Sequence, residues 1–344
     1  MSDRITIVGG GLAGLTLGIG LRQRGVPVTL WEAARYPRHR VCGEFISGRG
    51  QASLARLGLL NGLLKIGASS AGSVAFFGGT SSIATRRLPE PALCVSRFHL
   101  DEWLAQEFQR LGGELSTGAR WTGEYGVGVV RATGRRVEPM ADTWRWFGLK
   151  VHARGLALDA DLEVHFLPAG YVGLCRLPDG KVNVCGLFRS VAPVPDLGQR
   201  WHDWLGGPAN SLLHSRMASA QFDEGSFCAV AGLGLGRQRA TERREWCVGD
   251  AMTMIPPMTG NGMSMAFESA ELALDPLVQF SRRQMPWAYA QRVSATTCDR
   301  KFARRLRWAA WLQRVLFSPA GRCALFFMAA RSERLWSGLF ERTR

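Results

Sequence analysis

Apolar and polar positions repeat along this chain with two periods, and the change of period divides it. Arg4-Ile5-Thr6-Ile7-Val8 is a short apolar run that leads straight into Gly9-Gly10-Gly11-Leu12-Ala13-Gly14. Leu15, Leu17, Ile19 and Leu21 carry a helical pattern toward Gly25, and Val28-Thr29-Leu30-Trp31-Glu32 follows. The order is strand, tight turn, helix, strand, acid. Leu54, Leu57, Leu59 and Leu60 predict a helix over 51–60. Val74–Phe77 and Ile83–Thr85 predict a hairpin that opens a second lobe. Leu100, Trp103 or Leu104, and Phe108 share one face of a helix that runs to about Arg110.

The period then falls to two. An aromatic-rich extended run covers 144–152, and strands are predicted at 162–166, 171–177 and 181–188, with Pro-Ala-Gly and Pro-Asp-Gly turns between them. Their alternation predicts an antiparallel sheet with one covered face. Helices are expected near 196–205 and 208–218. Trp246 to Ala251 returns to the first lobe, and a helix from Ser264 to about Leu274 ends before Pro276. The last sixty residues read as helical and basic.

The first thirty residues carry definite chemistry. Gly9 allows a tight turn, Gly11 lets backbone approach a pyrophosphate at the helix N-terminus, and Gly14 lets helix and strand pack closely. Glu32 ends the second strand, where it can accept both hydroxyls of a ribose. A GxGxxG run alone is weak evidence. Here the flanking strands and the acid at the right distance agree with it.

Composition narrows the function. The 344 residues suffice for two lobes, and the net charge of +15 invites nucleic acid, an anionic membrane or an anionic substrate as partner. No nucleic-acid motif supports the first, so no nucleic acid is expected. No uncharged apolar stretch is long enough for a membrane span. The chain enters its first strand at once, so no leader peptide is expected. The eight cysteines have no metal spacing, so no metal site is expected.

Four blocks together resemble the geranylgeranyl reductase family of flavoproteins, within the larger group built like para-hydroxybenzoate hydroxylase. They are Gly9 to Glu32; Arg40-Val41-Cys42-Gly43-Glu44; Arg97 with Leu100 and Leu104; and Gly249-Asp250-Ala251 with Pro257, Gly260-Asn261-Gly262. The resemblance implies FAD in the N-terminal site, with NAD(P)H or a reduced electron carrier as donor. It places Asp250 at the ribityl or pyrophosphate region and Pro257 to Met263 at the flavin N1–C2 edge. It places Arg97 beside the adenosine ribose and pyrophosphate, with Arg40 to Glu44 running past the flavin.

The implied fold is α/β with an α+β second lobe: a Rossmann-type FAD-binding domain, an antiparallel-sheet substrate domain and a helical C-terminus. The expected division is 1–64, 94–140 and 226–281 for FAD, 65–93 and 141–225 for substrate, and 282–344 as a basic helical region. Cys42, Glu44 and Tyr171 are the candidates for contact with substrate. Cys42 reads equally as a small core residue, and Glu44 as a partner for Arg40 or Arg49. His152 and His165 are further candidates for facing the substrate, though histidines in such strand patterns are more often satisfied sheet residues.

Two enzyme chemistries fit. The favoured one reduces a carbon-carbon double bond of an apolar isoprenoid, polyketide or quinone-like substrate by hydride transfer from flavin. The alternative is an aromatic monooxygenase acting through a flavin C4a-hydroperoxide. An apolar, elongated cavity with Tyr171 and the Trp146-Phe147 region in its wall suits the first. The middle strands lack the Asp-Gly pair of the hydroxylases, with Ala132-Thr133-Gly134-Arg135 in its place. The flavin halogenases share this architecture but need an active-site lysine and a Trp-x-Trp-x-Ile-Pro run, and neither is evident. A flavin-binding scaffold is the non-enzymatic reading. From Arg282 to Arg344, fourteen cations face three acids, a surplus of eleven. With the aromatics among them, they read either as helices that cap the substrate lobe with their aromatics inward or as a surface that holds a cytoplasmic protein on an anionic inner membrane face, beside a biosynthetic partner enzyme.

Overall fold

The computed structural model describes residues 2–135, 145–236 and 238–343. Arg136, Trp144, Arg344 and the expected boundary at 140 lie outside them. In chain order the elements are β1 (Ile5–Val8), α1 (Leu12–Gln23), β2 (Val28–Glu32), β3 (Phe45–Ile46), α2 (Gly48–Arg56), α3 (Leu60–Lys65), β4 (Ser69–Gly78), β5 (Ser81–Cys94), α4 (Arg97–Arg110), β6 (Glu114–Thr117) and β7 (Val129–Arg131). Then come β8 (Arg145–Arg154), β9 (Leu162–Phe166), β10 (Gly170–Arg176), β11 (Val182–Ser190), α5 (Trp201–Leu205), α6 (Leu212–Met217), β12 (Gln221–Ala231) and β13 (Trp246–Cys247). Helices α7 (Gly262–Ser281), α8 (Trp287–Leu316), α9 (Pro319–Arg331) and α10 (Glu333–Arg342) finish the chain.

Five parallel strands form the first sheet, in the order β13-β7-β1-β2-β6. Its central strand β1 is covered on both faces, which is why its sequence is a nearly unbroken apolar run. Ile5, Ile7, Leu15, Leu17, Ile19 and Leu30 are fully buried in one core with Phe108 of α4 and Phe267 and Leu274 of α7. Helix α7 runs through Pro276, where a stop was expected. Proline removes one helical hydrogen bond, and here the burial of Pro276, Leu277 and Val278 beside α1 offsets that loss. The helix expected over 51–60 is two, α2 and α3, broken at Gly58 with φ +70°.

The second sheet has eight strands in the order β12-β8-β11-β10-β9-β4-β5-β3. Its pairs are antiparallel except β4 with β9, so the sheet is mixed. Alternation separates two faces. Phe147, Leu149, Val151, Val172, Val184 and Phe188 pack under Trp201, Leu205 and Leu213 of α5 and α6. Trp146, Gly148, Lys150 and His152 occupy the other face of β8, toward the first lobe. Gly148 admits the loop before β3 closely, since a Cβ there would lie 2.9 Å from Val41. Strand β12 was not foreseen; its polar sequence lies at the sheet edge.

The C-terminal helices close the crevice between the lobes. Arg305 of α8 makes two hydrogen bonds to Glu268 of α7, at 2.6 and 3.0 Å, with both side chains buried. Trp336 of α10 donates to the Arg87 carbonyl at 3.1 Å and packs edge-on against Phe76. Phe317 packs against Trp146 and Tyr171. Much of the C-terminal aromatic surface therefore turns inward, while Trp311 and Leu335 stay exposed. Among the described residues, no helix is long and apolar enough to cross a membrane.

Candidate active site

The glycines between β1 and α1 fit the backbone approach that a dinucleotide requires. Gly9 has φ +110°, and a Cβ on it would stand 2.3 Å from the Ala132 carbonyl oxygen. A Cβ on Gly14 would strike the Gly9 carbonyl at 1.9 Å. Gly11 differs: a Cβ there would meet nothing within 4 Å, so its side faces open space at the N-terminus of α1. Two glycines are thus required by packing, and the third leaves room for a ligand. Gly249 also touches this unit, since a Cβ on it would be 2.8 Å from Ala13.

Glu32 does more than wait for a ribose. Its Oε2 accepts from Gly10 N at 2.7 Å, and its Oε1 accepts from Ala34 N at 2.9 Å and from Arg38. A carboxylate offers about four lone-pair sites, so the protein itself occupies most of them. Arg38, overlooked in the sequence, is the cation that holds this carboxylate. Arg40, in the same loop, is exposed, although the protein crowding around it and the nearby Arg38 both lower its pKa.

Arg97 starts α4 and binds Asp101 through two parallel hydrogen bonds, at 2.7 and 2.8 Å. Burial works against its charge, but Asp101 outweighs burial and the net pKa is raised. Arg97 also stands beside Cys42, whose thiol burial pushes up against the pull of that arginine. A thiol held protonated is a poor nucleophile, so packing accounts for Cys42 better than redox chemistry. Asp250 is exposed in the crevice yet ringed by protein. This crowding pushes its carboxyl up to about 6, with Arg97 and Arg135 pulling the other way.

Pro257 to Met263 meets the segment after Glu44. A Cβ on Gly260 would lie 2.2 Å from the Phe45 ring, and the Asn261 amide oxygen accepts from Ser47 at 3.2 Å. Asn261 also donates to the Thr343 carbonyl at 2.7 Å. Gly262 opens α7 with free space beside it, whereas the Met263 side chain is buried in the first-lobe core. Only the backbone of Met263 is left for a ligand.

The inner face of the second sheet carries two kinds of surface. Phe166, Tyr171, Leu187, Trp146 and Val230 form an apolar wall that reaches Met254 and Met258 just before α7. Phe147, expected in that wall, points to the opposite face, because neighbours on a strand alternate. A cavity of about 120 Å³ lies at one end of the wall, between Phe166, Leu316 and Phe317, with Arg189 and Arg322 at it.

The other part is polar and buried. Glu44 is fully buried, with its Oε2 2.6 Å from His152 Nε2 and its Oε1 3.7 Å from Lys150 Nζ. Arg97 N donates to Glu44 Oε1 at 2.9 Å. Lys150 donates to His39 Nδ1 at 3.0 Å. Expected to pair with Arg40 or Arg49, Glu44 instead bridges the two lobes. His152 therefore faces the crevice, while His165 binds Glu163 on the far side of the sheet and stacks on Phe77. Lys150, His39 and Asn183 were missed. One signal was available: among 43 lysines and arginines, Lys150 is one of four lysines, with Lys65, Lys181 and Lys301.

Comparison with known proteins agrees with this geometry. Residues 3–138 match the family model described as FAD binding domain. The p-nitrophenol 4-monooxygenase PnpA from Pseudomonas putida DLL-E4 superposes with a TM-score of 0.76 at 16% identity, over 99% of this chain and 98% of that one. The flavin-dependent brominase Bmp2 superposes with a TM-score of 0.72 at 16% identity, over 99% and 93%. The protein called conditioned medium factor receptor 1, from Dictyostelium discoideum, is 24% identical over 331 residues; the match covers 82% of this chain and 64% of that protein's length. The preference for a reductase is overturned here, because most of the similar structures that share the fold are a monooxygenase or halogenases. Residues 3–138 are thus similar to an FAD-binding domain, and the chain as a whole has the two-lobed fold of the solved flavoenzymes named above.

Proposed function

We propose that this protein is an FAD-dependent monooxygenase that inserts one oxygen atom into an organic substrate with an apolar body. The observation that carries the reading is the compact cavity flanked by Arg189 and Arg322 at the end of the apolar wall of Tyr171, Leu187, Phe166 and Trp146, in place of the elongated apolar cavity expected of a reductase. Gly11 would receive the pyrophosphate in the turn that Gly9 and Gly14 allow, Glu32 and Arg38 would hold the adenosine end, and Asp250 would take a ribityl hydroxyl. The N-terminus of α7 at Gly262 would lie toward the flavin edge, where a helix dipole favours negative charge. Bound FAD supplies the redox chemistry with oxygen, and NAD(P)H is the donor assigned to it.

The chain's own residues then have three tasks. The wall orients the substrate, and α10 with Trp336 excludes water from it. Tyr171, whose hydroxyl burial keeps protonated, stays neutral at the wall. Glu44 seats the loop that begins at Arg40. The 120 Å³ cavity compares with engineered cavities of about 150 Å³ that accept benzene, which suits a compact ring.

The test uses purified protein with FAD, NADPH and 4-nitrophenol or another small phenol under ¹⁸O₂. Product carrying one ¹⁸O atom, with one NADPH consumed, is expected. Turnover that persists without oxygen rejects the reading.

One observation favours a second reading, halogenation. A buried lysine does lie in the crevice, so one of the two grounds on which the sequence disfavoured that chemistry falls, while the Trp-x-Trp-x-Ile-Pro run is still absent. The ammonium of Lys150 is nevertheless engaged by His39 and Glu44, and this places oxygen insertion first. A product that incorporates bromide from the medium reverses the order.

A further inference from the structure

Lys150 is chemically out of place. The chain uses arginine for nearly every cation, yet a lysine occupies one of its most buried positions, with no exposed side-chain surface. Lysine differs from arginine in carrying its charge on one compact ammonium with three rotatable donors. Its register neighbours extend the polar patch. Cys185 and Cys228 face Lys150 across β11 and β12, and Asn183 faces His152. Asn183 donates to the Cys42 carbonyl at 2.9 Å, while its Oδ1 is buried without a partner. An orphaned buried acceptor costs about 1–3 kcal/mol, and it marks a place where a water or a hydroxyl belongs.

His39 completes the geometry. It is half-buried, stacks on Phe98 with ring centroids 4.5 Å apart, and meets the His152 ring edge-on at 5.1 Å. We propose that Glu44, His152 and Lys150 form a proton-exchange site inside the crevice, with His39 as its outlet to solvent. Burial, then Lys150 and His152, lower the His39 pKa to about 4, so the ring is a neutral acceptor for the ammonium. Asp223 of β12 and Arg97 of α4 are the further charged groups turned toward the site.

The step balances without redox change. A proton taken from the crevice joins the Glu44–His152 pair. Lys150 gives one of its protons to His39 Nδ1 and is refilled from the pair through Glu44. His39 then releases one proton from its other nitrogen. The reverse order, starting from the Nδ1–H tautomer of His39, brings a proton in through its other nitrogen, and exchange with solvent resets the ring after each pass. Lys150 acts through its neighbours and is a positioning and relay residue. The inference rests on the reading above only for the presence of bound FAD, whose two-electron reduction takes up at least one proton.

The experiment measures that uptake directly. FAD-loaded protein in weak buffer is reduced without oxygen or substrate by reduced methyl viologen, a one-electron donor that carries no proton, and a pH indicator follows the proton while flavin absorbance follows the electrons. In wild type the two signals should run together. In Lys150→Met and His39→Phe the proton signal should lag at least tenfold, with the final stoichiometry unchanged. His39→Phe retains a ring on Phe98, so it keeps the test open if Lys150→Met does not fold. Uptake within twofold of wild type in His39→Phe overturns the relay. Because no oxygen is used, failure of monooxygenation leaves this outcome readable, and a protein that takes up no FAD rejects both.

Discussion

Glu44 Oε2 lies 2.6 Å from His152 Nε2, and this contact joins residues 108 positions apart across the two lobes. Glu44 holds the left-handed φ of +60°, a strained state for a residue with a side chain. Burial raises its pKa, but the His152 hydrogen bond and Lys150 outweigh burial, and the net pKa is below the usual 4.5. Removing the carboxylate leaves Lys150 buried without its counter-charge. Glu44→Ala should cost about 3–5 kcal/mol in chemical denaturation. A loss under 1 kcal/mol would show that the bridge is incidental.

The same contact sets a pH dependence. A carboxylate whose folded pKa is depressed contributes stability above its unfolded value, and that contribution is lost as pH falls through the folded pKa. Wild-type stability should therefore drop steadily below about pH 4.5. Glu44→Gln, less stable at pH 7, should show a shallower fall over that window. Parallel curves for the two proteins would contradict the assignment.

Asp250 has the opposite sign. Its raised pKa of about 6 means that, without cofactor, the ionised carboxylate opposes the fold as pH rises through 6. Asp250→Asn should raise the melting temperature of the cofactor-free protein at pH 8 and leave it unchanged near pH 4. The same variant should bind FAD at least tenfold more weakly. Tighter FAD binding would remove Asp250 from the proposed site.

The three glycines before and within α1 should separate in a mutational series. Gly11→Val places its side chain in open space, so the fold should hold while FAD binding falls at least tenfold. Gly9→Ala meets the Ala132 carbonyl and a positive φ, and should destabilise the protein itself by about 2 kcal/mol or more. Thermal melts beside FAD titrations distinguish the two. Equal effects of both variants on stability would refute the division.

Trp336 tests the cover over the crevice. Trp336→Ala removes its hydrogen bond to Arg87 and its packing on Phe76, at a cost of about 2–3 kcal/mol. Water should then enter during turnover, and hydrogen peroxide released per NADPH should rise severalfold. An unchanged ratio would mean that α10 does not shield the reaction.

The amino-acid sequence by itself determined the strand–helix–strand unit that opens the first lobe, because its parts are contiguous. Gly9, Gly11, Gly14 and Glu32 lie within one strand–helix–strand unit, and their requirements are local sterics and a helix terminus. It also showed that the middle strands have two faces. It could not show which face looks at the other lobe, since a period of two is symmetric under exchange of faces. Tertiary structure decided that Lys150 and His152 turn toward Glu44, while Phe147 and Leu149 turn away. It paired Asn183 with Cys42 across 141 residues and Asn261 with Thr343 across 82. It also spent Glu32 on Gly10, Ala34 and Arg38. Such pairs leave no local trace, because a buried charge is tolerated only once its distant partner has arrived.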